Sequence, residues 1–136
     1  MSVEFVDTNI LVYSHDRTAG AKRTKAGELL TRLIEEECGV LSIQVLAEFY
    51  WTATRKLRIE SDEAQKIIRD FGTWQVHHTR HEDLLKAAQL QRRHKISWWD
   101  ALIVCSAMES GCSILWTEDL SDGQRFGSVV VRNPFR

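Results

Sequence analysis

Phe5-Val6-Asp7-Thr8-Asn9-Ile10-Leu11-Val12-Tyr13 sets the frame for the rest of this chain: one apolar run ends in a carboxylate, and a second begins three residues later. Val3 to Val6 is β-branched and alternating enough to form a short strand. Asn9 to Ser14 reads as helix, so Asp7 falls where a strand hands over to a helix. In an open α/β sheet, ligands and metals gather at that end of the strands. Asp7 or Thr8 equally suits the N-cap of the helix, the more frequent job for these residues. The segment alone leaves both roles open. The choice turns on whether other carboxylates arrive at the same place.

Outward from this stretch, apolar residues recur at helical spacing in Ala21–Glu37 (Ala26, Leu29, Leu30, Leu33) and in Ile43 to Leu57 (Val45, Leu46, Phe49, Tyr50, Ala53). Between them, Gly39-Val40-Leu41-Ser42 reads as a very short buried strand, with Ser42 capping the helix that follows. Ser61 is expected to cap a further helix with Ala64, Ile67, Ile68 and Phe71 as its buried stripe, ended by Gly72. Trp74–His78 reads as a third strand. His81–His94 follows as a helix with Leu84, Leu85, Ala88 and Leu90 on its apolar side, and then the strongly apolar helix Trp98–Glu109. Ser113–Trp116 and Ser128–Val131 complete five strands, and the last five residues, with the single proline Pro134, read as a tail. Short apolar strands alternating with helices imply βαβ units and a mainly parallel sheet covered on both faces. Residues that directly follow strands are thereby collected on one edge.

The chain has 136 residues, 43% hydrophobic and 27% charged, which suits one domain spanning residues 1–136 around one core. No apolar run approaches the roughly 18 residues needed to span a membrane. The Val3–Val6 run carries an acid and has no basic segment before it, unlike a signal peptide. The expectation is a cytoplasmic protein without a membrane partner. Cys38, Cys105 and Cys112 are odd in number, widely spaced and fit no zinc pattern; Cys105 reads as a small core residue. A net charge of −1 argues against coating nucleic acid by bulk charge while leaving room for local basic patches.

Four acidic positions stand out. Asp7 follows the first strand, and Thr117-Glu118-Asp119 follows the fourth. Asp100 opens the apolar helix in Ser97-Trp98-Trp99-Asp100, and Glu48 lies among apolar residues in Gln44-Val45-Leu46-Ala47-Glu48-Phe49-Tyr50. Each has an ordinary alternative: Ser97 with Asp100 forms a capping box with Asp in place of Glu, Glu118 and Asp119 suit a turn, and Glu48 suits a solvated helix margin. Together they say more. Carboxylates forced to one edge repel each other unless a cation neutralises them. Oxygen-only ligation selects Mg²⁺ or Mn²⁺, ions suited to hydrolysing phosphodiesters.

In order and spacing, Asp7-Thr8-Asn9, Glu48, Asp100 in Ser97-Trp98-Trp99-Asp100-Ala101, and Thr117-Glu118-Asp119-Leu120 resemble the four acidic motifs of PIN domains, in particular of VapC-type toxins. The resemblance runs from Val3 to about Val131. It implies a three-layer α/β/α fold with a mainly parallel, roughly five-stranded sheet, and a Mg²⁺- or Mn²⁺-dependent endoribonuclease held in check by a cognate antitoxin. It also implies a homodimer. It carries over Asp7, Glu48, Asp100 and Asp119 as the catalytic and metal-binding acids, with Asp7 and Asp100 as direct ligands and Glu48 placed to orient or deprotonate water. Thr8, Asn9 and Thr117 match supporting positions. Glu118, beside the family's acid, is a further candidate.

RNA contacts are sought in three basic clusters: Lys22, Arg23 and Lys25; Arg55, Lys56 and Arg58; and Arg92, Arg93 and Lys95, the best placed because they precede the Asp100 motif. An aromatic can stack on an unpaired base, but most of the five tryptophans read as core residues or interface anchors, with a dimer or antitoxin contact favoured over base stacking for Trp98 or Trp99. His77 and His78 point to opposite faces of a strand and share no ion. The competing function is a catalytically inactive PIN-like protein that acts through RNA binding or protein interaction. A phosphatase of the haloacid dehalogenase type would need a second aspartate two residues after Asp7, where Asn9 stands.

Overall fold

A computed structural model describes residues 2–136. β1 (Val3–Val6), β2 (Gly39–Ser42), β3 (Gln75–His77), β4 (Cys112–Trp116), β5 (Arg125–Phe126) and β6 (Val129–Arg132) form one six-stranded sheet in the order β3-β2-β1-β4-β6-β5. All neighbouring pairs are parallel except β5 with β6. The helices are α1 (Thr8–His15), α2 (Ala21–Glu35), α3 (Ile43–Arg55), α4 (Ser61–Phe71), α5 (His81–His94) and α6 (Trp98–Glu109). The steps from β1 to β2 and from β2 to β3 run the same way along the sheet, whereas β3 to β4 returns across it. Right-handed crossovers therefore place α1–α4 on one face and α5–α6 on the other. The sheet is covered twice. Its central strand β1 is accordingly covered on both sides, with Phe5 and Val6 fully buried and the Glu4 carboxylate, also buried, paired with Arg32 (2.7 Å).

The chain order reverses between β1 and β4, whose register pairs Val6 with Trp116. Just beyond that pair, the Asp7 amide donates to the Trp116 carbonyl (3.0 Å) and the Thr117 amide to the Arg132 carbonyl (3.0 Å). Asp7 and Thr117 thus emerge side by side at the topological switch point, where a crevice opens between diverging connections.

Local chemistry sets most element ends. Asp7 is the N-cap residue of α1, and Ser42 caps α3 by accepting from the Val45 amide (3.2 Å). Gly39 in β2 allows the Trp74 ring to lie flat against the strand; a Cβ there would sit 2.3 Å from the ring. The three cysteines are free and buried. Among the described residues no helix is long and apolar enough to cross a membrane.

Four expectations need correction. The sheet has six strands rather than five, because the two-residue β5 pairs with β6 across a turn at Gly127 (φ 61°) and is too short to show a pattern. Ser61 is the first residue of α4, not its cap; Glu60 precedes the helix, and the Ser61 hydroxyl binds the Tyr50 hydroxyl (2.8 Å). Of the apolar stripe read on α5, Leu84, Leu85 (63% exposed) and Ala88 face outward and only Leu90 packs against the core, while Asp83 and Ala87 are buried. Asp83 fixes that rotation: its carboxylate accepts from the Arg80 amide (2.8 Å) and lies 3.5 Å from His77 Nε2. Finally, the terminal segment is no loose tail. Phe135 packs edge-on against Tyr13, and the Asn133 amide binds the Asp122 carboxylate.

Candidate metal centre

Asp7 is 5% exposed, and both its oxygens are engaged. Oδ1 accepts from the Thr8 amide (2.7 Å) and Oδ2 from the Thr117 hydroxyl (2.8 Å). The cap and the ligand readings therefore coexist in one side chain. Burial pushes its pKa up to about 7, reinforced by the charges of Asp119 and Glu48 and opposed by the Thr117 and Thr8 hydrogen bonds.

Thr117, fully buried, is the hub of this edge. While donating to Asp7, its hydroxyl accepts from the Asp119 amide (3.1 Å) and from Asn9 Nδ2 (3.2 Å). Asn9 Nδ2 also donates to Asp119 Oδ2 (3.1 Å), tying the first acid's turn to the fourth acid's turn. Asp100 comes from the opposite face of the sheet, on the first turn of α6. The Ser97 hydroxyl accepts from the Asp100 amide (3.0 Å), which is half of a capping box. The Asp100 carboxylate meanwhile reaches the other acids; burial, then the charges of Asp119 and Glu48, raises its pKa.

Asp7, Asp100 and Asp119 each offer an oxygen within 4.8 Å of the others. Glu48 stands outside this triad. Its Oε1 accepts from the Thr8 hydroxyl (2.6 Å) and its Oε2 from Gln44 Nε2 (3.4 Å), so it flanks the triad through the residue next to Asp7. Glu118 turns away altogether. Tyr13 donates to its Oε1 (2.5 Å) and Lys22 to its Oε2 (2.9 Å), with the Lys22 ammonium over the Tyr13 and Phe135 rings. Asp119 faces the cluster because its neighbour is anchored elsewhere.

The donor set fits a hard divalent cation. Three carboxylates converge, burial and their mutual repulsion raise the affinity of two of them for a proton, and the buried Asn9 Oδ1 has no partner among the described residues. A cation with its bound water relieves both features, supplying positive charge and a donor.

Beside the triad lies an open groove of about 730 Å³ between α1 and α3, lined by Thr8, Asn9, Tyr13, Glu48, Trp51 and Asp119 among others. Trp51 is 59% exposed there, so it is not one of the core tryptophans. The spacing Glu48–Trp51, three residues along a helix, is the signal that places both on one face. Arg92, Arg93 and Lys95 are exposed at the end of α5 and form no ion pair among the described residues; Arg93 lines a cleft between α5 and α6.

The PIN domain family profile matches residues 5–121. The chain belongs to the PIN domain family. The comparison with curated proteins finds no match. Among solved structures, a toxin–antitoxin complex from Klebsiella pneumoniae is similar at 22% identity and TM-score 0.69, covering 98% of each chain. VapC20 from Mycobacterium tuberculosis, a sarcin-ricin loop cleaving toxin, is similar at 21% identity and TM-score 0.66 over 82% of this chain and 86% of that one. DNA-bound VapBC from Salmonella typhimurium gives 16% identity and TM-score 0.69, covering 98% of this chain and 99% of that one. At these identities the likeness is one of fold.

Proposed function

We propose that this protein is a Mg²⁺- or Mn²⁺-dependent endoribonuclease, the toxin of a VapC-type toxin–antitoxin pair. The observation that carries this reading is the Asp7–Asp100–Asp119 triad, set at the switch point of a PIN fold beside an open groove. Asp7, Asp100 and Asp119 hold the cation, which when bound supplies Lewis-acid polarisation of a phosphodiester and a more acidic water. Glu48, steadied by Thr8 and Gln44, orients or deprotonates the attacking water. Thr117 and Asn9 keep the Asp7 and Asp119 carboxylates facing one point. Arg92, Arg93 and Lys95 offer unpaired cations to RNA phosphates. Exposed Trp99, 62% accessible beside Asp100, suits a contact with an antitoxin or a second copy of the chain. The solved complexes of similar fold support a protein partner.

The test is cleavage of defined RNAs with Mg²⁺, Mn²⁺ or chelator, beside Asp7→Asn. Cleavage should require the metal and vanish in the variant, whose amide preserves the shape of the side chain. Undiminished cleavage by Asp7→Asn would sink the assignment. A small DNA-binding protein encoded next to this gene should co-purify with the chain when the two are expressed together.

A further inference from the structure

The groove beside the triad does not end at Trp51. It runs on past Lys56 and Asp16, which also line an adjoining hollow of about 510 Å³ that contains Arg17, Arg23 and Arg58. Along α3 and its C-cap residue Lys56, Glu48, Thr52 and Lys56 follow one another at four-residue steps, with Trp51 three residues after Glu48. Glu48 and Lys56 are therefore about 12 Å apart along the axis. The track passes from carboxylates to an aromatic side chain to cations.

Each part of that track suits one kind of occupant. The Arg55 guanidinium lies 3.8 Å from the Trp51 ring centroid, fixing the indole and adding positive charge beside it. Arg17, Arg23, Lys56 and Arg58 form no ion pair among the described residues. Of the acids in the same hollow, Asp16 is occupied by the Thr18 amide (2.9 Å) and hydroxyl (2.7 Å), while Glu60 and Glu63 leave the cations in excess. An exposed aromatic backed on one face by Arg55 and followed by cations in no ion pair among the described residues matches an unpaired nucleotide strand: a base stacks on the ring and the phosphates beyond it meet the cations. A duplex hides its base faces and gains nothing from the ring. Arg92, Arg93 and Lys95 line neither hollow; of the three basic clusters in the sequence it is the one with Lys56 and Arg58, joined by Arg23, that lies on this path.

Resting on the reading of the substrate as RNA, we infer that Trp51 is a base-stacking platform and that Lys56 and Arg58 take the phosphates beyond it. The α1–α3 groove thereby leads an unpaired strand away from the acidic triad. Trp51 is a positioning and specificity residue; it touches a base and leaves the bond cleavage to the acids.

The test is binding of a fluorescein-labelled single-stranded RNA decamer and of a blunt duplex of the same length, followed by anisotropy in chelator. The wild-type protein should prefer the single strand. Trp51→Ala should weaken single-strand binding about tenfold, with the duplex unaffected. Trp51→Phe, which keeps a stacking face, should restore most of that loss. The pair Lys56→Ala with Arg58→Ala should lower the slope of log affinity against log salt by roughly 1.4, for two phosphates of a single strand. Equal single-strand affinity in wild type and Trp51→Ala overturns the inference, as does an equal loss for strand and duplex, or no binding of either RNA by the wild type. Asp7→Asn separates this inference from the nuclease reading: it should lose cleavage yet keep Trp51-dependent binding.

Discussion

Asp7 concentrates the chemistry of this protein in one side chain. It caps α1, anchors to Thr117 and supplies an oxygen to the triad, all while nearly buried. Burial and its acidic neighbours raise its pKa from 3.8 to about 7, so the folded protein binds this proton more tightly than the unfolded chain does. Well below pH 3.8 both states are protonated and nothing is lost. As pH rises toward 7 the unfolded chain ionises first, and the metal-free protein loses stability on the order of 4 kcal/mol. The raised pKa of Asp100 acts in the same direction. Asp7→Asn, neutral throughout, should therefore be more stable than wild type in chelator at pH 7.5 and lose that advantage at pH 3. Thermal unfolding of the two proteins at both pH values checks this; parallel Tm profiles would contradict it. Such a gain in the variant is the mark of a site whose charge serves binding rather than folding.

At the scale of elements, the sheet edge is built from fine packing as much as from pattern. β2 hydrogen-bonds to both β1 and β3, and the Trp74 ring, which packs edge-on against Phe71 (5.0 Å), presses on it at Gly39. Gly39→Ala would drive a methyl into that ring or push Trp74 off Phe71. It should destabilise the fold by about 1–3 kcal/mol, read as a lower urea midpoint at unchanged slope. An unchanged midpoint would mean that Trp74 swings away at no cost. α5 teaches a related lesson. Its Leu84 and Leu85 look like core in one dimension, yet the buried Asp83, bound to the Arg80 amide and near His77, sets which face turns inward.

At the scale of the whole molecule, the triad joins three separate parts of the chain: the end of β1, the start of α6 and the turn after β4. A cation held there clamps both faces of the sheet to its carboxyl edge, and it binds the folded state alone. Mg²⁺ at a hundred times its Kd should stabilise the protein by about 2.7 kcal/mol, a rise in Tm of roughly 10 °C for a chain of this size. Differential scanning fluorimetry across a Mg²⁺ series reads the shift, which should shrink in Asp7→Asn. A Tm indifferent to Mg²⁺ and Mn²⁺ would count against a metal centre.

Much of this was legible before any coordinates. Strand-length apolar runs alternating with helical periodicity specify a parallel α/β sheet, and acids placed just after β1 and β4 must then arrive at its carboxyl edge. That inference needs only chain order, because strand direction and crossover handedness leave few alternatives. The direction in which each side chain points is another matter. Glu118 and Asp119 are indistinguishable as neighbours in a turn; Tyr13 and Lys22, 105 and 96 residues away, draw one aside, while Asn9 holds the other to the cluster. The sequence likewise assigns Trp51 no place of its own, and only the gap between α1 and α3 makes it a groove wall. The sequence by itself determined the sheet, its edge and the acids brought there. The tertiary structure decided which carboxylates meet and what lies beside them, because those choices rest on contacts between residues far apart along the chain.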